Sequence, residues 1–121
     1  MLLSERGEVV CEHCVVADRP LTRLRGLLGR RKLPPGEGLL IRPAGAVHTS
    51  FMRFPIDVVF LDRELTVLDV VDGLVPWRAA GRRGAHAVLE LAAGERARHA
   101  IAPHDRLALV HMDALAAPSS G

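Results

Sequence analysis

The chain has 121 residues, a formal net charge of +2 and 49% hydrophobic residues. This length and composition suit one folded domain and exclude an intrinsically disordered chain. The small charge argues against nonspecific nucleic-acid binding, and no apolar stretch is long enough to span a membrane as a helix. The first ten residues lack the basic and apolar regions of an export signal. We therefore expect a cytoplasmic domain over residues 1–113, without a membrane partner, and a frayed tail over 114–121.

The amino-terminal third predicts two strands separated by a helix. Residues 8–17 are rich in β-branched and small apolar types, which predicts the first strand. Leucines at helical spacing after Pro20 predict a short amphipathic helix that ends near Gly29. Two prolines and two glycines within 34–38 then impose a turn, and 39–42 predicts a second, brief strand.

The remainder of the chain predicts mostly antiparallel strands. Pro55 divides 47–61 into two extended pieces, and the second piece predicts a hairpin with 66–71. After it we expect, in order, a long loop over 73–85, a strand over 86–91, a short helix over 93–100 and a closing strand over 106–112. Together these elements predict a β-dominated α+β fold. It has a mostly antiparallel sheet curled toward a small barrel and two short helices.

Four motifs in succession resemble a known family. They are GLLGR at 26–30, GEGLLI at 36–41, HTSFMRFPIDVVFLD at 48–62 and AHAVLELAAGE at 85–95. Together they resemble the bacterial and archaeal family named domain of unknown function 192. The resemblance covers about Val9 to Met112, and it implies a compact β-rich α+β fold without implying an established reaction. The positions that it marks are His48, Met52, Pro55, Asp57, Glu90 and Gly94.

Three polar residues among apolar neighbours are candidates for a binding site. Asp57 follows Ile56 and precedes an apolar run, so its carboxylate must be hydrogen-bonded, paired with a charge or protonated. In a purely structural role, the Asp57 carboxylate pairs with an arginine or accepts hydrogen bonds from backbone N–H groups. The same structural and functional explanations apply to Glu90. If His48, Asp57 and Glu90 converge beneath the 73–85 loop, they can bind a ligand or act as acid and base.

Two further pairs are weaker candidates. Trp77 and Arg78 are suited either to contacting an anionic or sugar-like ligand or to covering one end of the sheet. His48 and Met52 have the same parity on an extended strand, where an imidazole and a thioether are suited to a soft metal ion. The position of Met52 between two phenylalanines favours core packing instead.

Cys11 and Cys14 have the two-residue spacing of zinc-binding and redox motifs. On one continuous strand over 8–17, however, their side chains would point to opposite faces with Cα atoms about 10 Å apart, which is too far for a disulfide. The prediction is therefore two packing cysteines. Cys11, Cys14 and His48 remain only weak candidates for metal ligands.

Several enzyme signatures are absent from the sequence, including the phosphate-binding glycine loop, the nucleophile elbow and the HExxH motif. We therefore expect a small non-catalytic module that binds a small polar ligand or an ion, and the sequence identifies no cofactor. Two alternatives stay open. One is an acid-base or metal-assisted hydrolytic enzyme that uses the same polar cluster, and the other is an accessory that binds a protein partner through an exposed apolar patch.

Overall fold

The structure, a computed structural model, describes residues 1–5, 7–17, 33–34, 36–49 and 53–110. Within these ranges ten strands and one helix are present. The strands are β1 Leu2–Leu3, β2 Val9–Cys11, β3 His13–Ala17, β4 Glu37–Ile41, β5 Ala46–His48, β6 Ile56–Leu61, β7 Val67–Leu74, β8 Ala79–Gly81, β9 Ala87–Ala92 and β10 Ala108–Leu109. The helix, α1, comprises Glu95–Arg98.

The central sheet has five strands in the order β3-β4-β9-β6-β7. All its neighbouring pairs are antiparallel except β3 and β4. Strand β6 is buried along its whole length and β9 at all but its last residue. Apart from Asp57 and Glu90 the two strands consist of apolar residues, because a strand that is covered on both faces does not alternate with polar residues.

Each face of the central sheet is covered by a different small sheet. On one face, Val59 and Leu89 belong to a core with Leu2 and Val10 of the β10-β1-β2 sheet. On the other face, Val58, Phe60 and Val88 belong to a second core, against which Val47 and Ala80 of the β5-β8 ribbon are packed. The side on which a residue of β6 or β9 points therefore decides which of the two cores it enters.

The predicted β-dominated, mostly antiparallel character is confirmed, and so is the hairpin of β6 and β7. The predicted curling toward a barrel is not confirmed. In the described part of the chain the strands form three sheets with no closed barrel, and β3 and β7 are the two edges of the largest sheet. Of the two predicted helices, only α1 falls in the described ranges. The predicted helix after Pro20 and the tail over 114–121 lie outside them.

The prediction of one strand over 8–17 is wrong. A bend at Glu12 separates β2 from β3, and the two strands join different sheets. Strand β2 pairs with β1 near the amino terminus, whereas β3 pairs with β4. Local composition cannot reveal this division, because both halves have the β-branched residues of a strand and the choice of partner is made by distant residues.

Candidate functional site

Asp57 is a structural acceptor at the junction of three elements. It is 1% exposed on β6. Its Oδ1 accepts a hydrogen bond from the Gly73 N–H at 2.9 Å. Its Oδ2 accepts from the N–H groups of Gly94 at 2.8 Å and Arg96 at 3.0 Å. The helix α1 has no side-chain cap of its own, so a carboxylate from β6 binds its first N–H groups instead.

Glu90 lies on the opposite face of the central sheet from Asp57. In the β6-β9 register Glu90 pairs with Val58, whereas Asp57 pairs with Leu91. Val58 and Leu91 belong to different cores, and adjacent residues of a strand point to opposite faces. Glu90 is 3% exposed. Its burial raises the pKa of the carboxyl to about 7.

His48 ends β5 and is exposed, while its neighbour Val47 packs against the second core. Because strand residues alternate between faces, the imidazole points away from that core and from the sheet that contains Glu90. The structure therefore does not bring His48, Asp57 and Glu90 together. His48 points to solvent, Asp57 lies at the junction with α1, and Glu90 points into the second core.

The residue that organises the predicted ligand loop is Thr49, which is fully buried. Its hydroxyl donates to the Val75 carbonyl oxygen at 2.7 Å and accepts from the Arg78 N–H at 2.9 Å. Its backbone N–H donates to the Arg78 carbonyl, and its carbonyl accepts from the Trp77 N–H. A threonine hydroxyl after a short strand gives no distinctive sequence signal, so this role was not predictable.

Trp77 and Arg78 therefore lie on an anchored turn and not on a free flap. The Trp77 side chain is 59% exposed, and its backbone has a φ of 65°. The Arg78 side chain is exposed and donates to the Trp77 carbonyl oxygen at 3.2 Å. The predicted pair of His48 and Met52 cannot be placed, since Met52 lies outside the described residues.

A cavity that the sequence did not predict lies between β2 and α1. Its volume is about 170 Å³. The residues that line it are Val9, Val10, Glu12, Gly36, Glu95, Arg98 and His99. The wall thus presents carboxylates, a guanidinium, an imidazole and a backbone amide around a short apolar strand.

The polar wall of this cavity is held in place by Glu95. This side chain is 6% exposed. Its Oε1 accepts from the Gly36 N–H at 3.3 Å and lies 3.6 Å from His99 Nε2. Its Oε2 accepts from Arg98 Nη1 at 3.3 Å. Gly36 has a φ of 87°, a left-handed conformation that glycine adopts without strain and that turns its amide toward Glu95.

The sequence contained a partial signal for this arrangement. Arg98 and His99 follow Glu95 by three and four residues, which is the spacing of side-chain neighbours on one helix face. Glu95 also ends the fourth family motif. What the sequence lacked was any sign that Glu12 and Gly36, far away along the chain, line the same cavity.

Cys11 and Cys14 lie at the same core, which contradicts the geometry predicted from a continuous strand. Cys14 pairs with Gly38 in the β3-β4 register, and a Cβ atom built on Gly38 would lie 2.9 Å from Cys11 Sγ, so both cysteines approach the same position on β4. Cys11 belongs to the first core, and Cys14 packs against that core. The bend at Glu12 is the reason, because it breaks the alternation that would have directed the two side chains to opposite faces.

No group of three or more His, Cys, Asp or Glu side chains in the described ranges is arranged to hold a metal ion. No helix in the same ranges has the length and apolar character needed to cross a bilayer.

This β-rich fold, with its four ordered motifs, is that of one family. A model of the DUF192 family, described as "Uncharacterized ACR", matches residues 2–109, and the chain belongs to this family. A UPF0127 protein of Pyrococcus abyssi (strain GE5 / Orsay) is 36% identical over an alignment of 85 positions that covers 64% of this chain and 69% of that protein. The resemblance noted in the sequence is thereby confirmed.

Two solved structures share the fold. One is a protein of unknown function from Novosphingobium aromaticivorans DSM 12444, with a TM-score of 0.72 and 24% identity over 79% of this chain and 74% of that one. The other, from Sinorhizobium meliloti 1021, is described as a candidate transcription regulator. It has a TM-score of 0.75 and 26% identity over 88% of each chain.

Proposed function

We propose that this protein is a non-catalytic module that binds a small zwitterionic molecule in the cavity between β2 and α1. The observation that supports this proposal is the mixed charge of the cavity wall, where the Glu12 carboxylate and the Arg98 guanidinium line the same space. A ligand with an amino group and an acid group has one partner for each charge. Charge-assisted hydrogen bonds of this kind are stronger than neutral ones.

The size of the cavity limits the ligand to a small molecule. A volume of about 170 Å³ lies below the roughly 300 Å³ at which pockets for drug-sized ligands begin. Val9, which is 38% exposed, supplies an apolar surface against which a short aliphatic part of a ligand can pack. Because the contact with Glu95 orients Arg98, the cationic half of the site is formed before a ligand binds.

The two carboxyl groups that the sequence offers as acid and base are poorly placed for catalysis. A hydrolytic site requires an acid-base group that reaches solvent and substrate. Glu90, whose pKa is about 7, is only 3% exposed. The carboxylate of Asp57 already accepts three backbone hydrogen bonds. Neither group lines the β2-α1 cavity among the residues that the structure describes.

Two alternative functions are binding of a protein partner and binding of DNA. Val75 and Trp77 are 46% and 59% exposed on one turn, which favours a protein partner at that turn. The description of the Sinorhizobium meliloti protein suggests DNA, but a formal net charge of +2 supplies little of the attraction that DNA binding needs. Both alternatives predict a contact surface away from the cavity.

The test is a titration of isotope-labelled protein, followed by amide NMR, with free amino acids, simple amines, simple carboxylates and a DNA duplex in turn. Binding in the cavity predicts saturable shifts at Gly36 and His99 with a zwitterion and weaker shifts with either half alone. Glu12→Gln and Arg98→Gln should each weaken binding about ten- to a hundredfold, since each removes one charged hydrogen bond.

The matched controls are Glu64→Gln and Arg82→Gln, which make the same chemical changes at exposed positions that do not line the cavity. They should leave the affinity unchanged. If no compound in the panel shifts the cavity amides, or if the cavity variants bind as well as the controls, the proposal is wrong. Shifts confined to the turn around Val75 and Trp77 would support the partner surface instead.

A further inference from the structure

The two cysteines differ in exposure although both lie beside Gly38 of β4. Cys11 is fully buried, and its Sγ lies 3.6 Å from the Gly36 carbonyl oxygen. Cys14 is half-buried. Solvent therefore reaches Cys14 but not Cys11.

Close packing holds the buried thiol in this position. A Cβ atom added to Gly38 of β4 would lie 2.9 Å from Cys11 Sγ, which is closer than such contacts normally occur. The glycine therefore makes room for the sulfur between β2 and β4.

The electrostatic surroundings favour a thiolate at Cys14. The neighbouring Cys11 thiol lowers the pKa of Cys14, and the positive charges of the amino terminus and Arg42 act in the same direction. The proximity of Cys14, together with burial, raises the pKa of Cys11. The accessible sulfur is thus the better nucleophile, because the thiolate is the reactive form of cysteine.

We propose that Cys11 and Cys14 form a reversible disulfide by exchange with a small-molecule disulfide, with Cys14 as the attacking thiol and Cys11 as the resolving thiol. The Cys14 thiolate attacks one sulfur of the reagent, its S–S bond breaks, and one small thiolate leaves. The Cys11 thiol then loses its proton and attacks the Cys14 sulfur, and the second small thiolate leaves. Two protein thiols are oxidised, and one small disulfide is reduced to two thiols.

This step is independent of the proposed ligand site. It requires only the two sulfur atoms and the bend at Glu12 that brings them together. Oxidation would, however, remove the Cys11 hydrogen that points toward the Gly36 carbonyl, and Gly36 is also a wall residue of the cavity. The disulfide is therefore expected to shift the Gly36 amide resonance even without ligand.

The experiment exposes the folded full chain to oxidised glutathione, blocks the remaining thiols with an alkylating reagent and measures the intact mass. The expected product is a monomer that has lost two hydrogen atoms, gains no alkyl group and returns to the dithiol with excess reduced glutathione. Because the chain has only two cysteines, the product needs no further mapping.

The order of attack is tested with Cys11→Ala and Cys14→Ala. Cys11→Ala should accumulate a stable mixed disulfide at Cys14, since the resolving thiol is missing. Cys14→Ala should react at least tenfold more slowly, because its remaining thiol is buried. Folding of each variant is checked by circular dichroism. The alkylation rates of Cys11 and Cys14 in the unmodified chain compare the two thiols without any substitution, and Cys14 should react faster.

Several results would overturn the proposal. They are two glutathione adducts on one chain, a disulfide-linked dimer as the main product, or no reaction while the protein stays folded. Equal alkylation rates at Cys11 and Cys14 would refute the assigned order of attack.

Discussion

Replacement of Asp57 by asparagine tests the junction between β6, β7 and α1. The carboxylate accepts N–H groups on two sides, from Gly73 through one oxygen and from Gly94 and Arg96 through the other. Asparagine has a single acceptor oxygen, so its NH₂ group must face backbone N–H donors on one side. A buried donor without an acceptor costs about 1–3 kcal/mol, and hydrogen bonds to charged groups contribute about 1.5–3 kcal/mol.

The expected loss in the free energy of unfolding is therefore about 2–4 kcal/mol for Asp57→Asn. Asp57→Ala, which leaves all three donors unpaired, should lose more. For a domain of this size 1 kcal/mol corresponds to a shift in the melting temperature of about 3–5 °C, so the asparagine variant should melt on the order of 10 °C lower. Thermal and urea unfolding followed by circular dichroism measure this loss.

Asp69→Asn is the matched control. Asp69 lies on β7 with a side chain that is 53% exposed, and its nearest cation, Arg82, is 4.0 Å away. The same chemical change should therefore alter the free energy of unfolding by less than about 0.5 kcal/mol. Melting temperatures of Asp57→Asn and Asp69→Asn that agree within about 2 °C would refute the structural role of the Asp57 carboxylate.

Two further substitutions test the second core and the turn that follows β7. Since burial raises the pKa of Glu90 from 4.5 to about 7, the folded chain holds this proton more tightly, and stability should fall as pH rises from about 4.5 to about 7. Glu90→Gln should remove this part of the pH dependence and raise the free energy of unfolding at pH 8 by on the order of 3 kcal/mol. If the variant and the unmodified chain have the same melting curves both below pH 4.5 and at pH 8, this reasoning is wrong. Thr49→Val keeps the side-chain shape but removes the acceptor of the Arg78 N–H, so stability should fall by about 1–3 kcal/mol. Because Trp77 is the one tryptophan of the chain, its fluorescence anisotropy should fall as well, and an unchanged anisotropy would show that the turn has other anchors.

The strand pattern was largely readable from the sequence, and particular residues show why. Pro55 separates β5 from β6, and the turn at Asp62 joins β6 to β7, because proline and Asx-type turns act through local backbone geometry. The apolar run over 58–61 likewise indicated that β6 is buried. The short helix after Gly94 was predicted too long, since only four residues of 93–100 are helical.

The candidate site was less predictable. Asp57 and Glu90 were correctly identified as buried carboxylates, because charged residues within apolar strands are conspicuous in a sequence. The sequence could not show whether the two carboxylates lie close together, because this depends on the register of β6 against β9. That register places them on opposite faces of the sheet. Glu12 and Gly36, by contrast, are unremarkable in sequence and gain their place in a cavity only through the packing of β2 beside α1.

By itself the sequence determined the family, the β-dominated class and most strand positions, since these depend on hydrophobic patterning and turn residues that act over a few positions. Only the tertiary structure decided that β2 and β3 belong to different sheets, that Cys11 and Cys14 lie at the same core, and that Glu95 orients the wall of a cavity. Each of these features joins residues through the pairing of strands that are distant in the chain. Such pairing is selected by the burial of whole sheet faces, and no single local segment contains that information.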